Sequence, residues 1–260
     1  RPAAIAASSN KCINADVYRA ASFATLSTLC NKRRLCRRST LKMKKCWANT
    51  LGDCSDKISR EHIVSKSLFT GDKVSVHGFP WCKEEPVEVG ISAITSKILC
   101  EDHNGRLSEL DAAASHAFKV LREVERLSQV RRKLKKRYWR VAKYKIDGTL
   151  LERWFLKTTI NICYRKDFLL DPNNNELGIP SQDIVQIAFG MAKFSNGRGL
   201  YNASYVGQDI YTSEAVSMQP IYRDSDNLLI GAFFFFFGFS FYLSILPDPF
   251  TGDEKREFGL

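Results

Sequence analysis

The sequence has too few cysteines for a disulfide framework, since its 260 residues contain only eight. Histidine is scarcer, with four residues, and none of them lies beyond residue 116. The C-terminal half has no glycine-rich loop that matches a nucleotide-binding fingerprint. Seven of the eight cysteines precede residue 101, close to the histidines, which favours metal binding in a reducing compartment. We therefore expect a cytoplasmic protein that uses its cysteines for metal rather than for disulfides.

Long uncharged runs are also scarce, and only Leu228–Leu246 reaches the length of a membrane-spanning helix. This run contains five consecutive phenylalanines, and aromatic residues favour strands. Gly238 would divide it into two strands of ordinary length, and the Lys and Arg flanks typical of a membrane helix are missing. We expect two buried strands and no membrane partner, with a membrane helix as the alternative.

Positive charge is concentrated in the first 150 residues, which hold 30 Lys and Arg against 15 Asp and Glu. The remaining residues hold 9 against 13. A basic surface attracts polyanions and releases their counterions, so nucleic acid, with DNA favoured, is the expected partner. A solvated basic face is the alternative.

Two basic segments carry most of this charge, namely "NKRRLCRRSTLKMKK" and "RRKLKKRYWRVAKYK". Lysine and arginine would contact phosphates there, and an interleaved tryptophan would stack on an unpaired base. The predicted nucleic-acid-binding residues are Lys32, Arg33, Arg34, Arg37, Arg38, Arg131, Arg132, Lys135, Lys136, Arg137 and Trp139.

The pattern of apolar residues predicts an α+β protein in three parts. Residues 1–45 form a basic arm, and residues 46–146 form a module with two short strands and a long basic helix. That helix begins near Leu107, where apolar residues recur every three or four positions. Residues 147–260 are expected to be a mostly β domain, in which 149–170 forms a strand or a helix–strand pair.

Cysteine and histidine spacing predicts a structural zinc site. Cys100 and His103 form a C-x2-H pair, a spacing that suits one turn leading into a helix. The partner pair would be Cys46 and Cys54, separated by a stretch in which Asn49 and Gly52 favour a turn. Competing ligands are Cys82 and, farther away, Cys36.

A second group of residues suits phosphodiester hydrolysis. Glu61 precedes His62, and Asn104 directly follows the last zinc ligand. A neutral imidazole can activate water near neutral pH, and carboxylate and amide oxygens suit Mg²⁺ or Mn²⁺. We expect His62 to act as general base while Glu61 and Asn104 hold the ion.

Together the motifs "S-x-E-H-I-V" and "S-K-I-L-C-x-x-H-N-x-x-L-S" resemble the HNH family of ββα-metal endonucleases, in a zinc-stapled variant. The resemblance covers roughly Cys46–Asp111 and implies a DNA endonuclease in which zinc ligands flank a ββα fold. It supports the roles given above to His62, Glu61 and Asn104.

The chain departs from the HNH family at the middle asparagine, which orients the base. Thr95 or Ser96 occupies the corresponding place. The alternative hypothesis is therefore a non-catalytic zinc module that binds nucleic acid. Paired cuts in a duplex would suit a homodimer of the enzyme.

Overall fold

The structure is a computed structural model that describes residues 46–69, 71–76, 87–134, 141–164, 168–195, 197–202, 216–223, 225–236 and 239–246, and the backbone of residues 18–20. Its helices are α1 (Glu101–Arg106), α2 (Ser108–Lys133), α3 (Gly148–Cys163) and α4 (Gln182–Ala188). Its strands are β1 (Tyr18–Ala20), β2 (Ile58–His62), β3 (Lys73–Val76), β4 (Val87–Gly90), β5 (Thr95–Cys100), β6 (Gly199–Asn202), β7 (Val216–Arg223), β8 (Leu228–Phe236) and β9 (Phe239–Ser244).

The described elements form an α+β protein with a mostly-strand C-terminal region, as the apolar pattern predicted. The large sheet is antiparallel throughout, in the order β1-β7-β8-β9-β6. Two two-stranded sheets, β2-β5 and β3-β4, precede the long helices in the chain.

The pair β2-β5 leads directly into helix α1. Ile58 lies opposite Cys100, whereas Glu61 and His62 lie opposite Ser96 and Thr95. The hairpin β3-β4 lies between the two strands in sequence, so the strand pair closes around a long insertion. Two strands followed by a helix thus bring residues about forty positions apart onto one small unit.

Helix α2 confirms the long helix predicted from the spacing of apolar residues. Helix α3 shows that the prediction of a strand throughout residues 149–170 was wrong, whereas the alternative of a helix–strand pair is partly confirmed, because Leu169 and Leu170 form isolated β-bridges after the helix. The Asp147 carboxylate accepts a hydrogen bond from the Leu150 amide and caps the start of this helix. Burial of Trp154, Phe155 and Ile160 then outweighs the strand preference of neighbouring threonines.

The prediction of two strands in the uncharged run Leu228–Leu246 is confirmed. Leu228–Phe236 forms β8 and Phe239–Ser244 forms β9, and these strands pair with each other. Gly238, the predicted break, lies outside the described residues. Among the described residues, no helix has the length and apolar character needed to cross a membrane.

The hydrophobic core joins the long helices to the large sheet. Phe118 of α2 stacks on Phe236 of β8 at 4.9 Å between ring centroids, and it meets Trp154 of α3 edge to face at 5.6 Å. Phe155 of α3 contacts Phe234 at 4.7 Å. This core includes residues on both sides of position 147, and the domain boundaries at 45/46 and 146/147 stay predictions.

Candidate metal centre and the polar network beside it

A tight turn returns Cys54 to Cys46. Residues Asn49–Leu51 form a short 3-10 helix. At its start the Asn49 amide donates a hydrogen bond to the Cys46 carbonyl at 3.1 Å. Gly52 and Asp53 then adopt positive φ angles of 76° and 50°, which reverse the chain direction. A side chain at position 52 would be strained in this conformation, so glycine is favoured there.

The end of β5 supplies the other two candidate ligands. Cys100 is the N-cap of α1, where its Sγ accepts a hydrogen bond from the His103 amide at 3.5 Å. The helical turn that follows brings the His103 ring back toward the same sulfur. The C-x2-H spacing therefore converges because the helix begins at its cysteine.

Four side chains converge on one point. The Nδ1 atom of His103 lies 3.4 Å from the Sγ of Cys46, 3.6 Å from that of Cys54 and 3.2 Å from that of Cys100. All four ligand atoms lie within 4.8 Å of one another. Tetrahedral zinc with ordinary bond lengths places its nitrogen and sulfur ligands about 3.5 Å apart.

This geometry fits a metal ion better than hydrogen bonds. One imidazole nitrogen cannot bond three thiols at once, whereas four donors around a tetrahedral ion have this spacing. Three sulfur ligands and one nitrogen ligand also suit zinc, whereas Mg²⁺ and Ca²⁺ prefer oxygen ligands. The group could therefore hold a metal ion such as zinc, while Cys36 and Cys82 lie outside the described residues.

Burial changes the proton affinity of three of these ligands. It raises the pKa of Cys46 to about 12. Burial, together with the nearby Arg106 charge, lowers the pKa of His103 and so favours the neutral ring that binds metal. Burial also acts to raise the pKa of Cys100, but hydrogen bonds from the His103 and Ser55 backbone oppose it, and the net shift is downward.

Metal affinity is expected to rise with pH because of Cys46. Without metal this thiol is protonated at neutral pH, and an ion that binds the thiolate must release that proton. Below the raised pKa, the release of one proton makes affinity grow about tenfold per pH unit. Competition against a chelator of known affinity at three pH values between 6.5 and 8.5 measures this slope. A dissociation constant that stays the same across this range would contradict it.

Aromatic rings enclose the metal centre on the side of α4. The His103 ring meets Phe189 edge to face at 5.3 Å, and Trp47 meets the same ring at 5.8 Å. The Arg106 guanidinium lies 5.0 Å from the Phe189 ring centre. The centre is thus packed against a residue that directly follows α4, far beyond the predicted module in sequence.

Glu61 lies in a buried ionic network rather than on a free surface. It is 4% exposed, and its Oε1 lies 2.7 Å from the Nζ of Lys157, which is 2% exposed. The same ammonium donates to both carboxylate oxygens of Asp111 at 2.9 Å. Ser65 donates to Asp111 and accepts from the Trp154 indole. Binding of a divalent ion by Glu61, which stays a prediction, would have to accommodate the Lys157 charge.

Asn161 of α3 lies between this network and the metal centre. Its Oδ1 accepts a hydrogen bond from the Trp47 indole at 3.0 Å. Its Nδ2 lies 3.5 Å from both the Glu61 carboxylate and the His62 carbonyl. Trp47 adjoins the ligand Cys46 in sequence, so Asn161 connects the two candidate sites.

The predicted catalytic residues lie on the strand pair and on α1. His62 is half-buried, and among the described residues its Nε2 has no hydrogen-bond partner although that atom is buried. Ile58 of β2 lies opposite Cys100, and His62 follows Ile58 by four residues. This separation corresponds to about 13 Å along an extended strand. Asn104 lies one turn into α1, which packs against β2. The catalytic roles of Glu61, His62 and Asn104 stay predictions.

The predicted nucleic-acid-binding residues are only partly described. Arg131 and Arg132 lie in the last turn of α2. The remaining nine lie outside the described residues, namely Lys32, Arg33, Arg34, Arg37, Arg38, Lys135, Lys136, Arg137 and Trp139.

Sequence reasoning missed Lys157 and Asp111, which belong to the ionic network of Glu61, and it missed Asn161, which contacts Glu61 and the His62 carbonyl. No motif marks Lys157 or Asn161, because both lie on helix α3, far from their partners in sequence. Lys157 follows Glu61 by 96 residues, and Asn161 follows His62 by 99 residues. One available signal was the i, i+4 spacing of Lys157 and Asn161 within a segment that has no other charged residue between Trp154 and Cys163. Comparison of the chain with protein-family models, curated proteins and solved structures finds no match.

Proposed function

We propose that this protein is a metal-dependent endonuclease that hydrolyses phosphodiester bonds in DNA, with His62 as the general base. The Cys46, Cys54, Cys100 and His103 group would bind a structural zinc ion. That ion would hold the start of α1 against the turn that precedes β2. His62 would then lie on β2, and the partner strand β5 ends at the proposed zinc ligand Cys100.

The observation that carries this proposal is the state of the His62 ring. Buried polar atoms almost always have a hydrogen-bond partner, and an exception calls for an explanation, such as a catalytic role or a bound water molecule or ion. Within the described part of the chain, the buried Nε2 of His62 has none. A basic nitrogen without a partner can accept a proton from a bound water molecule, which is the task of a general base.

Charge in the neighbouring network supports a bound cation. Glu61 and Asp111 place two carboxylates around the single ammonium of Lys157, so the group retains negative charge when all three are ionised. Glu61 and Asn104 offer hard oxygen donors of the kind that Mg²⁺ and Mn²⁺ prefer. A bound divalent ion would supply a Lewis acid that stabilises charge on the leaving oxygen.

The charge distribution supports a nucleic-acid substrate. Helix α2 ends in Arg131, Arg132 and Lys133, at the start of the second basic segment. Each lysine or arginine that neutralises a phosphate contributes affinity that falls as salt is raised. DNA binding should therefore weaken steeply between low and physiological salt.

Cleavage of supercoiled plasmid DNA tests the proposed activity. With Mg²⁺ or Mn²⁺ present, the wild-type protein is expected to nick the plasmid. His62→Ala should reduce the rate by about 10²- to 10⁴-fold, the usual contribution of a general base. Zinc content, measured on both proteins, should be equal because His62 is not one of the four clustered ligands.

His116→Ala provides the matched control. His116 is exposed on α2, and its Nε2 lies 3.0 Å from the Lys145 carbonyl, away from the catalytic residues in sequence. It should cut within about twofold of wild type, since most surface substitutions leave a protein almost unchanged. Equal loss in both variants, or no loss in His62→Ala, would contradict the assignment of the base.

A non-catalytic zinc module that binds nucleic acid is the second candidate. The ion pair between Glu61 and Lys157 favours it, because a structural role already accounts for the buried carboxylate. Thr95 and Ser96 lie opposite His62 and Glu61, and one of them would have to stand in for the middle asparagine of the HNH family. Zinc binding and DNA retention without cleavage under any metal condition would support this candidate.

A further inference from the structure

We infer that Asn161 is a positioning residue for His62 and connects it to the metal centre through Trp47. This inference rests on the proposed function, in which His62 is the base. It assigns a role to helix α3, which lies outside the segment that resembles HNH nucleases. The contacts of one buried amide carry it.

The orientation of the Asn161 amide follows from its neighbours. The indole of Trp47 can only donate a hydrogen bond, so the atom 3.0 Å from it must be the Asn161 oxygen. The amide nitrogen then points to the opposite side, where it has two hydrogens to donate. The Glu61 carboxylate and the His62 carbonyl, each 3.5 Å away, are both acceptors.

Trp47 lies beside the candidate metal centre. Trp47 directly follows the ligand Cys46, and its backbone amide donates to the Ile98 carbonyl of β5 at 3.0 Å. Its ring packs on Phe189, which also contacts the His103 ring. These contacts hold the indole beside the candidate metal centre, the indole orients Asn161, and Asn161 contacts the carbonyl at the end of β2.

The neighbouring strand offers no equivalent contact from its hydroxyl groups. Thr95 lies opposite His62, but its Oγ1 donates to the Ser92 carbonyl at 3.3 Å. The backbone after His62 is held by the Ile63 amide, which donates to the Ile94 carbonyl. On the side of the His62 carbonyl, Asn161 is the described side chain that donates. Asn161 therefore supplies a side-chain contact to the His62 carbonyl, whereas the Thr95 hydroxyl is bonded to Ser92.

The expected kinetic effect follows from misplacement of the base. At 3.5 Å each of these hydrogen bonds is long and weak. We therefore expect the two bonds to orient the His62 segment and to contribute little to stability. An error of about 1 Å in the position of a catalytic group can reduce a rate by about 100-fold. We expect Asn161→Ala to lower kcat by about 10- to 100-fold while KM stays within about twofold.

Two variants and one control test the inference. Asn161→Ala removes the donor to the His62 carbonyl, and Trp47→Phe keeps an aromatic ring at position 47 but removes the donor that orients Asn161. Thr159→Val is the control, because Thr159 is buried on the same helix and its hydroxyl donates to the Phe155 carbonyl within that helix. Zinc content and thermal unfolding establish that each variant is folded and loaded.

Histidine ring resonances provide a readout that does not depend on cleavage. The chain has four histidines, so a spectrum with ¹³C-labelled histidine is simple, and His62→Ala identifies the His62 signal. Asn161→Ala and Trp47→Phe are both expected to move or broaden that signal. The His116 signal should stay in place, and Thr159→Val should change neither.

The outcomes separate this inference from the proposed function. Unchanged His62 resonances and unchanged kcat in Asn161→Ala would overturn the inference even if the wild type cuts DNA. Altered His62 resonances in a protein that never cuts DNA would support the positioning role and refute the nuclease. If Asn161→Ala does not fold, Trp47→Phe decides, and an unaltered His62 signal in that variant overturns the inference.

Discussion

Replacing Cys100 with serine is expected to abolish metal binding and unfold the region around β2, β5 and α1. Serine is a good N-cap residue, so the substitution preserves the cap of α1 and removes only the thiolate. Structural zinc contributes about 10–16 kcal/mol in small zinc-binding peptides. That is comparable with the whole stability of a typical domain, about 5–15 kcal/mol. Loss of one ligand should therefore lower the unfolding temperature sharply.

Cys163→Ser is the matched control for this variant. Cys163 is also fully buried, but it lies outside the four-residue group, so its replacement should leave metal content unchanged. Metal content by mass spectrometry and thermal unfolding by circular dichroism, with and without a chelator, measure both effects. The metal assignment would be refuted if Cys100→Ser and Cys163→Ser bound equal metal and unfolded together.

Replacing Lys157 with methionine is expected to destabilise the protein by about 3–5 kcal/mol, the usual cost of removing one partner of a buried ion pair. Methionine keeps the length of the side chain, so little volume is lost. The Glu61 carboxylate would stay buried without its cation, and Asp111 would lose both of its contacts to the ammonium. Denaturant unfolding at neutral pH measures the change.

Two comparisons isolate the charge effect at Lys157. Adding Glu61→Gln to Lys157→Met should recover part of the lost stability, because a neutral amide costs less to bury than a carboxylate. Lys119→Met, at an exposed position on α2, should change stability by less than about 0.5 kcal/mol. No recovery in the double variant would show that packing, not charge, makes Lys157 important.

The effect of Lys157→Met on stability is expected to depend on pH, and the direction of this dependence follows from the pKa of Glu61. Burial raises the pKa of Glu61 above its usual 4.5, although Lys157 opposes this shift. A carboxyl group with a raised pKa favours the folded state while it is protonated, and this advantage disappears as pH rises through the folded pKa. Without Lys157 the shift is larger, so the stability difference between Lys157→Met and wild type should be greater at pH 7 than at pH 5.

Local pattern was sufficient for the candidate metal ligands and for several elements. The C-x2-H pair depends on a single helical turn, and the Cys46–Cys54 pair depends on a turn with Gly52. The long helix and the two phenylalanine-rich strands follow from periodicity and from strand preference. Such features are encoded within a few residues, because helix and strand geometry repeat over short distances.

Local pattern did not decide between a strand and a helix at α3. Its threonines and aromatic residues favour a strand, and only burial of Trp154, Phe155 and Ile160 against α2 and the large sheet makes a helix more favourable there. Lys157 and Asn161 look like surface residues in the sequence, but both are almost completely buried. Their burial is tolerated because partners on other elements satisfy their charge and hydrogen bonds.

Spacing along the chain thus identified the candidate metal centre and the His62 segment, whereas tertiary packing selected their neighbours. The contacts of Asn161 join it to residues 100 and 114 positions away. Hydrogen bonds and ion pairs of this range have no period in the sequence, since they depend on where whole elements pack. The folding of α3 against β2 therefore decided that Glu61 pairs with Lys157 and that the His62 carbonyl faces Asn161.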